Sequence, residues 1–411
     1  MKERIEKPIN ESLLWTDLYK LTMGQIAFLE FPEVYVRYEF VNRGKTKFPP
    51  NFAHRLKDQI QMMADLSLKE DDNNYLKDKC PYLTEEYRDW FGKYSFNPEE
   101  VEIEQKDGDL NVNIEGPWAR TIYWEVPLMA TISELYYQMT DGVPDDQHRE
   151  RAKAKGAALY EAGVKLLEFG TRRAFSSRVH RETLEALIET ARPISEGGVL
   201  LGTSNVALAK EFSLNPSGTY AHELVMAMGA LFGVLEANEK AMEVWTKQYL
   251  GLYGGEVYPK LGTALTDTYT TGVFLRSFNK FWAKYFTNLR QDSGDPFEIG
   301  EKIISRLQQI GVDPKEKGIV FSDGLNIPKA ILINEHFKDR VNPLFGIGTD
   351  LTNDVGVIPL NMVIKLFGVR RREESWLPTI KISDNPDKIS GDQKTLKQVL
   401  QNLDIAQLKA A

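Results

Sequence analysis

From about residue 160 onward, short apolar runs alternate with segments of helical periodicity. The runs are Lys165–Phe169, Val199–Thr203, a brief one near Thr219, Ala264–Thr270, Phe286–Arg290, Ile319–Ser322 and Leu344–Ile347. Helical patterns over 180–191, 222–250, 296–310 and 327–339 separate most of them. Strands alternating with helices predict parallel pairing through right-handed crossovers. About seven candidate strands predict an α/β fold, an irregular seven-stranded TIM-like (β/α) barrel; a doubly wound open sheet is the alternative.

The N-terminal third lacks that rhythm. A helix is expected over 12–30, capped by Ser12 or Thr16, with Leu13, Leu14, Leu18, Leu21 and Met23 as its apolar set. Tyr35–Val41 alternates as a strand does. Residues 52–93 are helical and charged, with a break at Cys80-Pro81. Residues 101–116 read as a hairpin around Asp-Gly, Arg120–Glu125 as a further strand, and Pro127 as the start of a helix through Met139. The expected division is an α+β domain over 1–130, joined by the polar tail 369–411, and a barrel-like domain over 131–368.

Composition narrows the class. A chain of 411 residues exceeds one typical core. Its 42% hydrophobic and 27% charged residues fit a soluble globular protein, and no apolar stretch reaches the length needed to span a membrane. The net charge of −8, with dispersed basic residues, gives no footprint for nucleic acid. An anionic substrate would therefore be held by local Arg. The single Cys80 cannot form an internal disulfide, and the N-terminus lacks the apolar core of a secretion signal, so a cytoplasmic protein is expected.

The chemistry sits at the ends of the apolar runs. Asp, Gly and Ser or Thr recur there, as a phosphate- or sugar-handling site at strand C-termini requires. The densest cluster is Arg290, Asp292, Ser293, Gly294 and Asp295; Asp323-Gly324 and Gly346–Asp350 accompany it. Gly346, Gly348 and Thr349 offer backbone N–H groups and a hydroxyl for a phosphate. Phe169 is suited to stack on a flat ring, and Arg172 with Arg173 to grip phosphate. Taken singly, Phe169–Arg173, Gly202–Asn205 and Asp267–Thr271 are explained as well by turns and helix caps. His222, at the start of a long apolar helix, is the one His placed for chemistry, since a helix N-terminus favours neutral imidazole. His54, His148, His180 and His336 lie in charged stretches and are expected to be solvated. No His pair has zinc-ligand spacing.

Together these strings resemble the nicotinate phosphoribosyltransferase family, type II phosphoribosyltransferases. The resemblance begins at Thr16–Met23. It continues through Phe169–Arg172, Gly202–Asn205, Ala221–Glu223, Asp267–Tyr269, Arg290–Gly294 and Phe345–Asp350. It implies that nicotinate attacks C1 of 5-phosphoribosyl 1-diphosphate, releasing pyrophosphate, with ATP hydrolysis coupled through a phosphorylated His222. It further implies Asp267 orienting His222, Asp292 on the ribose hydroxyls, and Arg172 and Arg290 on the phosphates. Asp323, Gly324, Gly346, Gly348 and Thr349 would contribute to the phosphoribosyl site, with Gly324, Gly346, Gly348 and Thr349 around the 5-phosphate. Tyr19 and Phe169 would sandwich the pyridine ring, with Asp17 nearby. In a homodimer with shared sites, Tyr19 would come from the partner, and Arg43 would reach a phosphate across the interface. Mg²⁺ would be held chiefly by substrate phosphates.

Ser204 bears on selectivity. The related enzyme acting on nicotinamide carries Asp at the matching point, which would repel the carboxylate of nicotinate by about 4 kcal/mol at ~4 Å and an effective dielectric near 20. Enzymes acting on nicotinamide or quinolinate are the nearest alternatives. A phosphate-sugar aldolase or isomerase is less well matched, because neither a Schiff-base Lys nor an acid–base pair stands at the strand tips.

Overall fold

The computed structural model describes residues 7–403, which divide into two compact units. The first comprises residues 7–32, 37–217 and 347–365; the second comprises 33–36, 218–346 and 366–403.

The first unit opens with the helix Leu18–Glu30, with Asp17 rather than Ser12 or Thr16 at the position before its first residue; the Asp17 side chain makes no capping bond and turns to Ser204 instead. Strands β1 (Val34–Asn42), β2 (Val101–Lys106) and β3 (Asp109–Pro117) follow, in spatial order β1-β3-β2. β2 and β3 form the expected antiparallel hairpin, pairing Lys106 with Asp109. Asp107 (φ 50°) and Gly108 (φ 80°) both take the left-handed region that such a two-residue turn requires. The charged stretch forms three helices, Phe52–Met63, Glu70–Lys79 and Glu85–Phe91. Cys80 closes the second of these and is buried, which pushes its thiol up to about 11 and leaves it inert as a nucleophile.

The strand expected at Arg120–Glu125 is absent. A short helix, Trp118–Thr121, leads into the helix Glu125–Met139 instead. Trp118, Ile122 and Trp124 are all fully buried, and Trp124 Nε1 donates to Glu100 Oε2 at 2.8 Å. Spacing of four between buried positions is helical, and the run was too short to distinguish the two periods. Strands β4 (Leu166–Glu168) and β5 (Leu200–Thr203) pair in parallel.

The second unit carries β6 (Thr263–Leu265), β7 (Asn288–Gln291), β8 (Gly318–Phe321) and β9 (Asn342–Ile347), adjacent in that order and all parallel. β8 is buried along its whole length, as a covered parallel strand should be. The helices Pro296–Gln309 and Ile327–Phe337 follow β7 and β8 as the alternation predicts. The expected helix over 222–250 is two, His222–Phe232 and Ala237–Tyr249, separated at Gly233 with φ 96°.

The fold is thus mixed α/β. Its parallel strands number six among the described residues, not seven. The segment near Thr219 forms no strand; just before it, Pro216 makes an isolated parallel bridge to Thr203. The units also divide the chain elsewhere than at 130/131. Backbone bonds from Leu18 N to Ser204 O, and from Val206 N to Thr16 O, join the end of β5 to the N-terminal segment. The tail after 368, expected to join the N-terminal domain or lie at the surface, is grouped with the second unit, where Ile380 and Ile382 are buried and Ile382 N bonds Thr268 O; the strand Met362–Arg371 that leads into it lies beside β1 in the sheet with β3 and β2.

Candidate active site

In the second unit the strand tips and the tail build one polar cluster around His222. The imidazole is the first residue of its helix. Its Nδ1 lies 2.9 Å from Thr268 Oγ1, and its Nε2 lies 3.1 Å from Asp292 Oδ2 and 3.7 Å from Asp267 Oδ1. Lys381 Nζ approaches the same Nε2 at 2.8 Å. Burial, then the Lys381 charge, hold the His222 pKa below its ordinary value against the pull of the two carboxylates. The ring is therefore neutral at neutral pH, with a lone pair to use.

Arg290, at the end of β7, is held by three partners. Nη2 donates to Asp292 Oδ1 at 3.0 Å, Nε to Ser322 Oγ at 2.8 Å and Nη1 to Thr219 Oγ1 at 3.1 Å. Burial would raise the Asp292 carboxyl, but Arg290, the His222 hydrogen bond and Lys388 hold it well below the ordinary range. Lys388 Nζ donates to the Asp292 carbonyl at 2.7 Å and to the Asp323 carboxylate. Asp267 is fully buried; its Oδ2 accepts from Ser293 Oγ at 2.5 Å, while its Oδ1 has no hydrogen-bond partner among the described residues. Asp295 proves to be a helix cap, accepting from Phe297 N and Glu298 N. Gly324, just after Asp323, has φ 54°, the left-handed backbone expected where a chain turns beneath a ligand.

One donor atom each from His222, Asp267 and Asp292 lies within 4.8 Å of the others. Two carboxylates, one with an unpartnered buried oxygen, fit a hard divalent cation such as Mg²⁺ that also takes phosphate oxygens. No metal-ligand spacing marks this cluster along the chain, because its members lie on three separate segments.

The first unit holds a second cluster. Ser204 Oγ donates to Asp17 Oδ1 at 2.8 Å, and both are buried. Burial raises the Asp17 pKa despite the nearby Arg172 charge. Asp17 thus places a carboxyl group directly beside Ser204. Arg172 Nη1 donates to Glu125 Oε1 at 3.2 Å, and Tyr19 Oη to Glu125 Oε2 at 3.2 Å. Phe169 is half-buried, with its N–H on Ile347 O at 2.9 Å. A Cβ on Gly348 would stand 2.7 Å from Phe169 O, so only glycine allows this approach. Thr349 begins a short helix directly after it. Gly346 is buried within β9, in the second unit. Arg43 lies in the turn after β1.

His180 is the clearest correction among the histidines. It is fully buried, its Nε2 3.0 Å from Glu168 Oε2, and Trp15 meets its ring edge-on. The helix Ser177–Thr190 turns it inward one turn from its start. Glu168 also accepts from Thr203 Oγ1 and Gly170 N, tying the tips of β4 and β5 together. Sequence reasoning also missed Lys381, Lys388 and Glu125. The two lysines lie in a polar tail with no pattern, and Glu125 was read as a strand end.

Known proteins of one family resemble this chain along most of its length. Residues 164–407 match the model of the nicotinate phosphoribosyltransferase (NAPRTase) family, and residues 14–133 match the NAPRTase N-terminal domain. The nicotinate phosphoribosyltransferase of Desulforapulum autotrophicum is 44% identical over 397 residues, covering 96% of this chain and 99% of that protein. That of Chromohalobacter salexigens is 42% identical, covering 93% and 95%. The crystal structure of nicotinate phosphoribosyltransferase from Porphyromonas gingivalis superposes with a TM-score of 0.91 at 40% identity, covering 96% of this chain and 99% of that one. The Vibrio cholerae nicotinate phosphoribosyltransferase structure gives 0.86 at 32% identity, covering 98% and 95%. The chain therefore belongs to the nicotinate phosphoribosyltransferase family.

Proposed function

We propose that this protein joins nicotinate to 5-phosphoribosyl 1-diphosphate, giving nicotinate mononucleotide and pyrophosphate, and that ATP hydrolysis drives the reaction through a phosphohistidine at His222. The observation that carries the reading is the His222 cluster: a neutral, desolvated imidazole flanked by Asp267 and Asp292, with Lys381 at 2.8 Å and Arg290 on the same Asp292.

The pyridine nitrogen attacks C1 as the C1–O bond to pyrophosphate breaks. No protein base is needed, because the nucleophile is already a lone pair. Negative charge grows on the leaving group, where preorganised Arg290 and Lys388 are worth most. Asp292, fixed from Arg290 and Ser322, would accept from the ribose hydroxyls. Mg²⁺, when bound, would offset phosphate charge, held by Asp292 and Asp267 with substrate oxygens. In the coupling step the imidazole lone pair takes the terminal phosphoryl group of ATP and the electrons of the broken P–O bond leave on ADP. The positive charge left on the ring is balanced by the two carboxylates, and Lys381 pairs with the phosphoryl oxygens.

Asp17, Ser204, Tyr19, Phe169, Arg172, Gly348 and Thr349 would supply the base and phosphate contacts of the first unit, and Asp323, Gly324 and Gly346 the phosphoribosyl contacts of the second. The reading extends to a cytoplasmic homodimer in which Tyr19 meets the partner's substrate. Among the described residues no helix is long and apolar enough to cross a membrane. Incubating the purified protein with nicotinate, nicotinamide or quinolinate, each with 5-phosphoribosyl 1-diphosphate, Mg²⁺ and ATP, tests the choice of base. Mononucleotide from nicotinate alone is expected. Faster turnover of either competitor would overturn the assignment.

A further inference from the structure

We propose that Glu125 is a positioning residue whose buried carboxylate fixes the Arg172 guanidinium and the Tyr19 hydroxyl in place for substrate. The proposal rests on the functional reading above, which puts Tyr19 and Arg172 in contact with substrate.

Three donors from two separate segments converge on this one side chain. Oε1 accepts from Arg172 Nη1 at 3.2 Å, and Oε2 accepts from Tyr19 Oη at 3.2 Å and from Lys20 Nζ at 2.6 Å. Lys20 is fully buried, and the Glu125 side chain is 11% exposed. Glu125 opens the helix Glu125–Met139, where the positive end of the helix favours a carboxylate. Burial would raise its pKa, but Lys20 and Arg172 together bring it below the ordinary value, so the group stays ionised at neutral pH. Tyr19 and Lys20 are adjacent on the first helix, and Arg172 follows the tip of β4. Without the carboxylate, Arg172 and Lys20 would repel, and Tyr19 would lose its hydroxyl bond to Glu125.

A buried ion pair that only supports the fold would also use Lys20 and Glu125. The two roles separate experimentally. Glu125→Gln keeps the shape but turns an amide N–H toward donors. Lys20→Met with Glu125→Gln removes the buried charge pair together. Glu125→Asp keeps the charge and draws the oxygens back by one methylene. Steady-state constants for nicotinate and 5-phosphoribosyl 1-diphosphate, with Tm for each variant, form the test.

The expected result is that the Lys20→Met/Glu125→Gln protein recovers most of the Tm lost in Glu125→Gln, yet keeps KM for at least one substrate raised about tenfold or more, with a smaller change in kcat. Glu125→Asp is expected to hold Tm near the parent and still raise KM. Tyr19→Phe combined with Glu125→Gln should be clearly less than additive in KM. Parental KM values in the double variant or in Glu125→Asp would overturn the proposal and leave a purely structural ion pair. A parental protein that makes no nicotinate mononucleotide would overturn the functional reading instead, a distinct outcome read in the same assay.

Discussion

At the scale of single residues, the site depends on charges that burial makes costly and neighbours make tolerable. Asp384 shows this outside the reacting groups. Its two oxygens accept from Thr271 N at 3.0 Å each, and its own N–H reaches Ser293 Oγ at 3.0 Å. Burial, reinforced by Asp267, pushes its pKa to about 6. Between the ordinary value near 4 and this one, the folded protein binds a proton that the unfolded chain does not. Stability therefore falls as pH rises from about 4 to 6, and the loss is complete above 6. Asp384→Asn should remove that dependence and gain roughly 1–2 kcal/mol at pH 7 after allowance for partial exposure. Denaturant midpoints at pH 4.5 and 7 check it; a variant whose difference between the two pH values matches the parent would contradict it. Ser204 offers a second test. Because Asp17 already lies 2.8 Å away, Ser204→Asp places two carboxylates together as well as one beside the base. Its kcat/KM for nicotinate should fall by roughly a hundredfold or more, and equal activity of variant and parent would refute the placement of the base near Ser204.

At the scale of elements, strand tips do the positioning, and glycine lets them approach. β4 ends in Glu168, whose carboxylate bonds the tip of β5 through Thr203 and its own turn through Gly170 N. A Cβ on Gly170 would meet Thr352 Cγ2 at 2.3 Å and Glu168 Oε1 at 2.7 Å. Gly170→Ala should cost about 1–3 kcal/mol and weaken binding at neighbouring Phe169 and Arg172, read as a lower melting temperature with a higher KM. Unchanged stability would show that the turn yields more readily than its packing implies. Most of these elements were legible, since strands such as Ile319–Ser322 and helices such as 296–310 carry clear periodicity and Asp or Pro starts. Arg120–Glu125 was misread because a run of six residues fits either period, and only the burial of Trp118, Ile122 and Trp124 decides.

At the scale of the whole molecule, the ordered string of tips from Asp17 to Asp350 carried the family, and His222, Asp267, Arg290 and Asp292 do meet in one cluster. What stayed hidden were the groups that neutralise or brace it. Lys381 and Lys388 come from a tail with ordinary polar composition, and a lysine becomes a partner for His222 or Asp323 only once Ile380 and Ile382 have been buried. His180 is hidden for the same reason, since a charged residue in a helical stretch reads as solvated until its opposite charge is located in space; Glu125 is hidden because Arg120–Glu125 reads as a strand and the structure makes it the start of a helix.

The central claim is that phosphoryl transfer from ATP passes through His222 on the way to nicotinate mononucleotide. It is tested most directly by following pyrophosphate and ADP together in the parent and in His222→Ala, with terminally labelled ATP to map the acid-labile phosphoenzyme. The account predicts ADP formation linked to pyrophosphate in the parent and label on His222 alone. In the variant it predicts loss of label and of ADP formation, with at most slow ATP-independent transfer. Label on another residue, or ATP-coupled turnover persisting in His222→Ala, would contradict it.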